Sequence, residues 1–182
     1  DGQNIDNDLF YYNQVIISGE GTKYLYGDIN VSESITLTTG LLGLNEGNLH
    51  LSNGNLYEQP SYPVTSSNPS SYGIIYSGVT TPQENINYGN IGAEIYVDVE
   101  DDITVSRFFS TEYSSSGLSI ARKYHIQTSE TMGDLIFHYD ESELNGSNEA
   151  NLSIFKADED LWTNIESIVD TEANSITITE AE

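Results

Sequence analysis

The residues best equipped for chemistry lie together between Ser119 and Lys156. Asp140, Glu141, Glu143, Asn145, Asn148 and Glu149 fall within one short segment and offer the hard oxygen donors that calcium takes. Their spacing departs from the EF-hand loop, which needs Gly at position 6 and Glu at position 12. A calcium site here would centre on Asp140, Glu143, Asn145 and Glu149. The competing role is a polar turn whose carboxylates neutralise a cation. Arg122 is that cation: it shares a strand face with Tyr124 and Ile126, so burying it demands a carboxylate, Asp140 or Glu143. His125 and His138 sit on outward positions of two strands read as neighbours, but two ligands do not make a zinc site. Cysteine is absent, which removes disulfides, thiolate metal sites and a thiol nucleophile. No catalytic motif is visible, and the chain reads as non-enzymatic.

The elements that must position these residues are strands. Ile120, Arg122, Tyr124 and Ile126 alternate with Ala121, Lys123 and His125; Leu135, Phe137 and Tyr139 alternate with Ile136 and His138; Leu152, Ile154 and Lys156 continue the pattern. That period of two is the mark of half-buried strands. Alternation extends through Glu94–Val99, Ile103–Ser106, Trp162–Ile165 and Ser175–Thr179. With no amphipathic helix between them, these strands predict an antiparallel β-sandwich, Ig-like or jelly-roll-like, over 91–182.

Residues 1–90 have a different texture. From Lys23 to Glu58, Leu-x-Leu pairs recur between Gly and Asn corners, with Gly40, Gly47 and Gly54 seven residues apart. Such writing fits a β-solenoid or a tight meander, whose corners need positive φ. About two coils of roughly 20 residues fit, fewer than the three repeats that usually stand alone, so the stack needs a cap. Glu58 to Asn90 holds all four prolines and many serines, and reads as an irregular connection around one strand, Tyr72–Tyr76. Its tyrosines, Tyr57, Tyr62, Tyr72, Tyr76 and Tyr88, would offer flat amphipathic rings for stacking on a polysaccharide if exposed.

Charge narrows the partners. The formal charge is −24, from 29 acidic and 5 basic residues. Nucleic acid requires clustered Lys and Arg, and anionic membrane surfaces require the same. No apolar run of about 20 residues is present, so no membrane insertion is expected. Self-repulsion of this size is relieved by salt or divalent cations, which suits an extracellular medium. Beginning at Asp1, the chain reads as a processed or excised segment.

The segments SIARKYHI, LIFHYDESELNG, NEANLSIFK, LWTNI and DTEANSITIT, with NIGAEIYVDVEDDITVSR upstream, resemble modules of secreted cell-surface proteins of gliding and related Bacteroidota. In those modules short β-solenoid coils lead into a β-sandwich. The resemblance runs from about Ile29 onward; Arg107 and Arg122 fall on its two arginine positions, while Lys123 stands where an aromatic residue is common. It implies an adhesin-like or repeat-built surface protein exported by type IX secretion, with no enzymatic activity.

Two functions are therefore expected to compete. One is a structural block of a filament, sheath or adhesin that assembles head to tail, with Leu9, Phe10, Val15 and Ile17 on a terminal strand that pairs with the next copy. The other is a monomeric glycan-binding module, with or without calcium.

Overall fold

The computed structural model describes residues 4–5, 10–59, 63–68, 71–111, 113–114, 117–129, 131–158 and 161–179. The fold is all-β, and helix among the described residues is limited to single 3-10 turns at Tyr88–Asn90, Glu141–Glu143 and Glu149–Asn151. The first half contains β1 (Asn4–Ile5), β2 (Phe10–Ile17), β3 (Thr22–Leu25), β4 (Ile29–Leu37), β5 (Leu41–Leu44), β6 (Leu49–Ser52), β7 (Asn55–Tyr57), β8 (Val64–Ser66) and β9 (Ile74–Val79). The second contains β10 (Ile86–Asn87), β11 (Ala93–Val97), β12 (Asp102–Phe108), β13 (Tyr113–Ser114), β14 (Gly117–Leu118), β15 (Lys123–Gln127) and β16 (Met132–His138). β17 (Ile154–Asp158), β18 (Leu161–Ile165), β19 (Ile168–Asp170) and β20 (Ser175–Ile178) complete it.

Strands of the first half alternate between two sheets and pair in parallel. One ladder runs β1-β3-β5-β8, and the other joins β2, β4, β6 and β9, with β7 also on β4. Parallel pairing of near neighbours in sequence requires the chain to leave one sheet, cross to the other and return above itself. Side chains in register consequently stack in columns. Phe10 lies opposite Ile29, Ile29 opposite Leu49 and Leu49 opposite Ile74. Beside them run Tyr12, Val31, Leu51 and Tyr76. Leu25, Leu37, Leu44, Leu49 and Leu51 are fully buried between the ladders, where apolar burial supplies the main driving force.

The corners explain two of the three spaced glycines differently from the expected positive φ. Gly40 does have φ +87, but Gly47 and Gly54 do not lie in the left-handed region. At Gly47 the constraint is space: an added Cβ would lie 2.1 Å from the Gly27 carbonyl oxygen of the adjoining turn. Polar corner side chains satisfy the backbone next to them. Asp28 Oδ1 accepts from the Asn48 amide at 2.7 Å, and Asn48 Oδ1 accepts from the Gly73 amide at 2.9 Å.

The ladder then changes direction. β12 pairs antiparallel with β9 on one side and with β15 on the other, so one mixed sheet of order β15-β12-β9-β6-β4-β2 runs past residue 90. A second, antiparallel sheet has the order β10-β11-β16-β20-β19. β17 and β18 form a separate hairpin. The strands of Ser119–Lys156 thus belong to three different sheets, rather than to one meander. The acidic segment between β16 and β17 and the short segment between β15 and β16 are passages between layers.

Candidate functional site

β2 forms one end of the mixed sheet and, among the described residues, pairs only with β4. Its outer row of backbone groups therefore faces away from the ladder, a ready template for another strand. Phe10 and Tyr12 point with the column residues Ile29 and Val31, yet stay 41% and 36% exposed because no further rung covers them. Their rings lie 6.1 Å apart. A register shift between Tyr12 and Gln14 turns the strand, after which Val15 is half-buried against the core and Ile17 is buried. Tyr11 and Ile16 are the most open apolar side chains of the strand, at 77% and 70%.

The expected self-association set is therefore redistributed. Phe10 is exposed on the edge; Ile17 is a core residue with no side chain to offer a partner, because the inward phase places it beside Leu37. Leu9 lies outside the described residues. Tyr11 and Ile16 were missed, and an apolar residue on the polar phase of an edge strand is the signal that marks them.

Among the described residues the tyrosine flank does not form a stacking surface. Tyr76 and Tyr88 are buried, with rings 5.6 Å apart. Tyr76 takes the inward phase with Ile74 on β9, and its ring packs over Gly89, where a Cβ would come within 2.8 Å. Tyr88 accepts from the Thr81 amide at 2.8 Å through its hydroxyl, and burial raises the pKa of both phenols. Tyr72 packs partly against the core, Tyr57 is exposed, and Tyr62 lies outside the described residues.

The acidic turn is a structural device. Arg122 pairs with Glu143, its Nη2 2.9 Å from Oε1 and from Oε2. Its Nη1 donates to the His138 carbonyl and reaches the Tyr124 hydroxyl at 3.3 Å. Asp140 is not a partner of Arg122. It caps the 3-10 turn by accepting from the Ser142 amide at 2.9 Å, while Glu143 Oε2 accepts from the Asp140 amide. That reciprocal cap holds Glu143 under Arg122.

The calcium donors do not converge. Asn145 donates to the Ser119 carbonyl at 3.1 Å, and Glu149 accepts from the Tyr139 hydroxyl at 2.8 Å. Burial first, and this bond to Glu149 next, push the Tyr139 pKa up to about 12. Among the described residues no three His, Asp or Glu side chains are placed to hold a metal. His125 and His138 fall in separate sheets, and His138 faces Glu94 at 2.6 Å.

A second arginine escaped the sequence reading as a pairing residue. Arg107, 2% exposed, holds Glu58 through Nη2 at 2.7 Å to each carboxylate oxygen. Its Nη1 donates to the Ile91 carbonyl at 3.2 Å, which also accepts from Tyr124 Oη at 2.9 Å. Gly92 makes this crossing feasible, since a Cβ there would lie 2.7 Å from both Arg122 Nη1 and Tyr124 Oη. Glu58, Arg107, Tyr124, Arg122 and Glu143 form one polar network in a low-dielectric setting, in which the buried Arg107 Nε has no hydrogen-bond partner.

Fold and site define the class as an all-β protein in which parallel rungs run into antiparallel layers. No protein-family model, curated protein or solved structure matches the chain. Among the described residues no helix is long and apolar enough to cross a membrane.

Proposed function

We propose that this chain is a non-enzymatic extracellular structural protein, a self-associating block of a cell-surface filament, sheath or adhesin whose rungs form a short β-solenoid. The observation that carries this reading is β2: an eight-residue edge strand that, among the described residues, is paired on one side, with Phe10, Tyr11, Tyr12 and Ile16 exposed. The acceptor is β15, the opposite edge of the same mixed sheet. Joining β2 of one copy to β15 of the next is a heterologous contact, which propagates where its rotation does not close. Main-chain hydrogen bonds would supply the affinity, and the aromatic rung would supply the buried area.

The net charge of −24 opposes such association at low salt and permits it where ions screen the chains. Secretion to the cell surface belongs to the same reading and is supported by the resemblance of the sandwich segments. Sedimentation velocity over a range of protein and salt concentrations tests it. Species larger than the monomer should grow with both; a strict monomer at every concentration and ionic strength would remove the proposal.

A further inference from the structure

Three asparagines stand two residues before a hydroxyl with no proline between: Asn30-Val31-Ser32, Asn145-Gly146-Ser147 and Asn151-Leu152-Ser153. That spacing is the acceptor pattern for an N-linked glycan. In the transfer the side-chain amide nitrogen bonds to the anomeric carbon of a lipid-linked oligosaccharide, the bond from that carbon to the pyrophosphate oxygen breaks, and the amide gives up one proton. The transferase holds the peptide by the hydroxyl two residues on. A folded chain can serve only where both the amide and the hydroxyl are open and the backbone is not locked in a ladder.

The structure separates the three. Asn30 lies in β4, opposite Tyr11 on one side and His50 on the other, and is half-buried. Reaching it means taking the ladder apart. Asn145 is exposed, but its amide nitrogen donates to the Ser119 carbonyl at 3.1 Å, a bond that must break first. Asn151 carries neither restraint. It ends the 3-10 turn Glu149–Asn151, whose cap is made by Asn148 accepting from the Ala150 amide, so its own side chain is spared that duty. Asn151 and Ser153 are both exposed, and among the described residues neither side chain has a hydrogen-bond partner. Leu152 between them is extended, at φ −62 and ψ 148, and leads the chain out of the turn.

We propose that Asn151 is a glycan attachment site of this chain, with Asn145 a slower acceptor and Asn30 closed while the fold stands. This rests on the extracellular reading, because the donor and its transferase act on exported chains. The purified folded chain is incubated with a lipid-linked oligosaccharide and a transferase that accepts folded substrates, and the products are located by peptide mass mapping. Asn151 should be modified faster than Asn145 by about threefold or more, the weight of the one hydrogen bond that Asn145 must break. Asn30 should react only after urea unfolds the chain. Asn151→Gln and Ser153→Ala should each remove the main product. A folded chain that takes no glycan at Asn151, or takes it faster at Asn145 or Asn30, overturns the proposal. The same mapping is then applied to the native chain. Protein recovered from the cell surface with Asn151 bare overturns the proposal and leaves the extracellular reading standing. Protein found only inside the cell removes the extracellular reading and this site with it, whatever the purified chain accepts.

Discussion

Arg107 and Glu58, 49 residues apart in sequence, meet in a two-pronged pair with both oxygens 2.7 Å from one guanidinium nitrogen. Arg107 lies opposite Ile74 on one side and Tyr124 on the other, and so carries the column that starts at Phe10 across to β15. The charge belongs to the last strand of the mixed sheet before β15, and its counterion follows β7 of the parallel half. Glu58 also accepts from the Val64 amide at 2.7 Å, which fixes the carboxylate before Arg107 reaches it.

Breaking a buried pair from one side leaves an uncompensated charge, a loss of about 3 kcal/mol. Glu58→Ala should therefore lower the melting temperature by roughly 10 °C in a chain of this size. Replacing both partners, Arg107→Met with Glu58→Leu, should recover part of that loss, because neither charge is then left unpaired and only the Val64 amide loses its acceptor. Thermal denaturation of the two variants decides it. Equal loss in single and double variants would show that packing, not charge, is what the pair contributes.

Arg122 makes a parallel case with a different partner geometry. Arg122→Met should cost about 2 kcal/mol, since it strands Glu143 and leaves the His138 carbonyl without its donor. Glu143→Gln should cost less, because the amide oxygen can still accept. An unchanged melting temperature in Arg122→Met would contradict the structural role assigned to the acidic turn.

The glycines separate space from conformation. At Gly47 an alanine Cβ would collide with the Gly27 backbone, and neither turn can retreat without breaking the ladder; a loss above about 3 kcal/mol is expected. Gly146, with φ +80 and nothing within 4 Å of an added Cβ, should lose only about 1 to 2 kcal/mol on mutation to alanine. Urea denaturation of the two variants measures the difference, and reversal of their order would contradict the stacked-corner geometry.

Acid should loosen one passage between layers. Asp101 Oδ2 accepts from the Ser129 amide, the Ser129 hydroxyl and the Thr128 hydroxyl, all at 2.9 Å. The Ser129 amide bond is the main cause that holds its carboxyl below the ordinary carboxylate range. A depressed folded pKa contributes stability that is present above the unfolded value and lost as pH falls through the folded one. Amide exchange at Ser129 should accelerate only below the ordinary Asp range, and Asp101→Asn should remove that acid step. An acid step of the same size in Asp101→Asn would assign it to another group.

Much of this was legible in the residues. Alternation marked the strands, and a lone arginine among Tyr124 and Ile126 announced its need for a carboxylate, Asp140 or Glu143, of which the fold uses Glu143. Inward phase also placed Arg107 with Ile103 and Val105, a signal available but unused, because its counterion lies in a segment that reads as irregular. Pairing direction was not legible: Leu-x-Leu between Gly corners is compatible with either hand of ladder, and only the cross-sheet return makes it parallel. Nor was the separation of β15, β16 and β17 into three sheets, since short polar segments serve hairpins and sheet-to-sheet passages alike. Tyr76 and Tyr88 looked exposed because prolines and serines surround them. Phase with Ile74 and the space over Gly89 brought Tyr76 inside.

Assembly through β2 is tested most directly by crosslinking, which the absence of cysteine makes unambiguous. Gln14→Cys on β2 and His125→Cys on β15 place thiols at exposed positions of the two free edges. Under mild oxidation the double variant should give a ladder of disulfide-linked multimers on a non-reducing gel, while either single variant gives at most dimers. A double variant that stays monomeric, or that stops at dimers like the single variants, would contradict head-to-tail assembly.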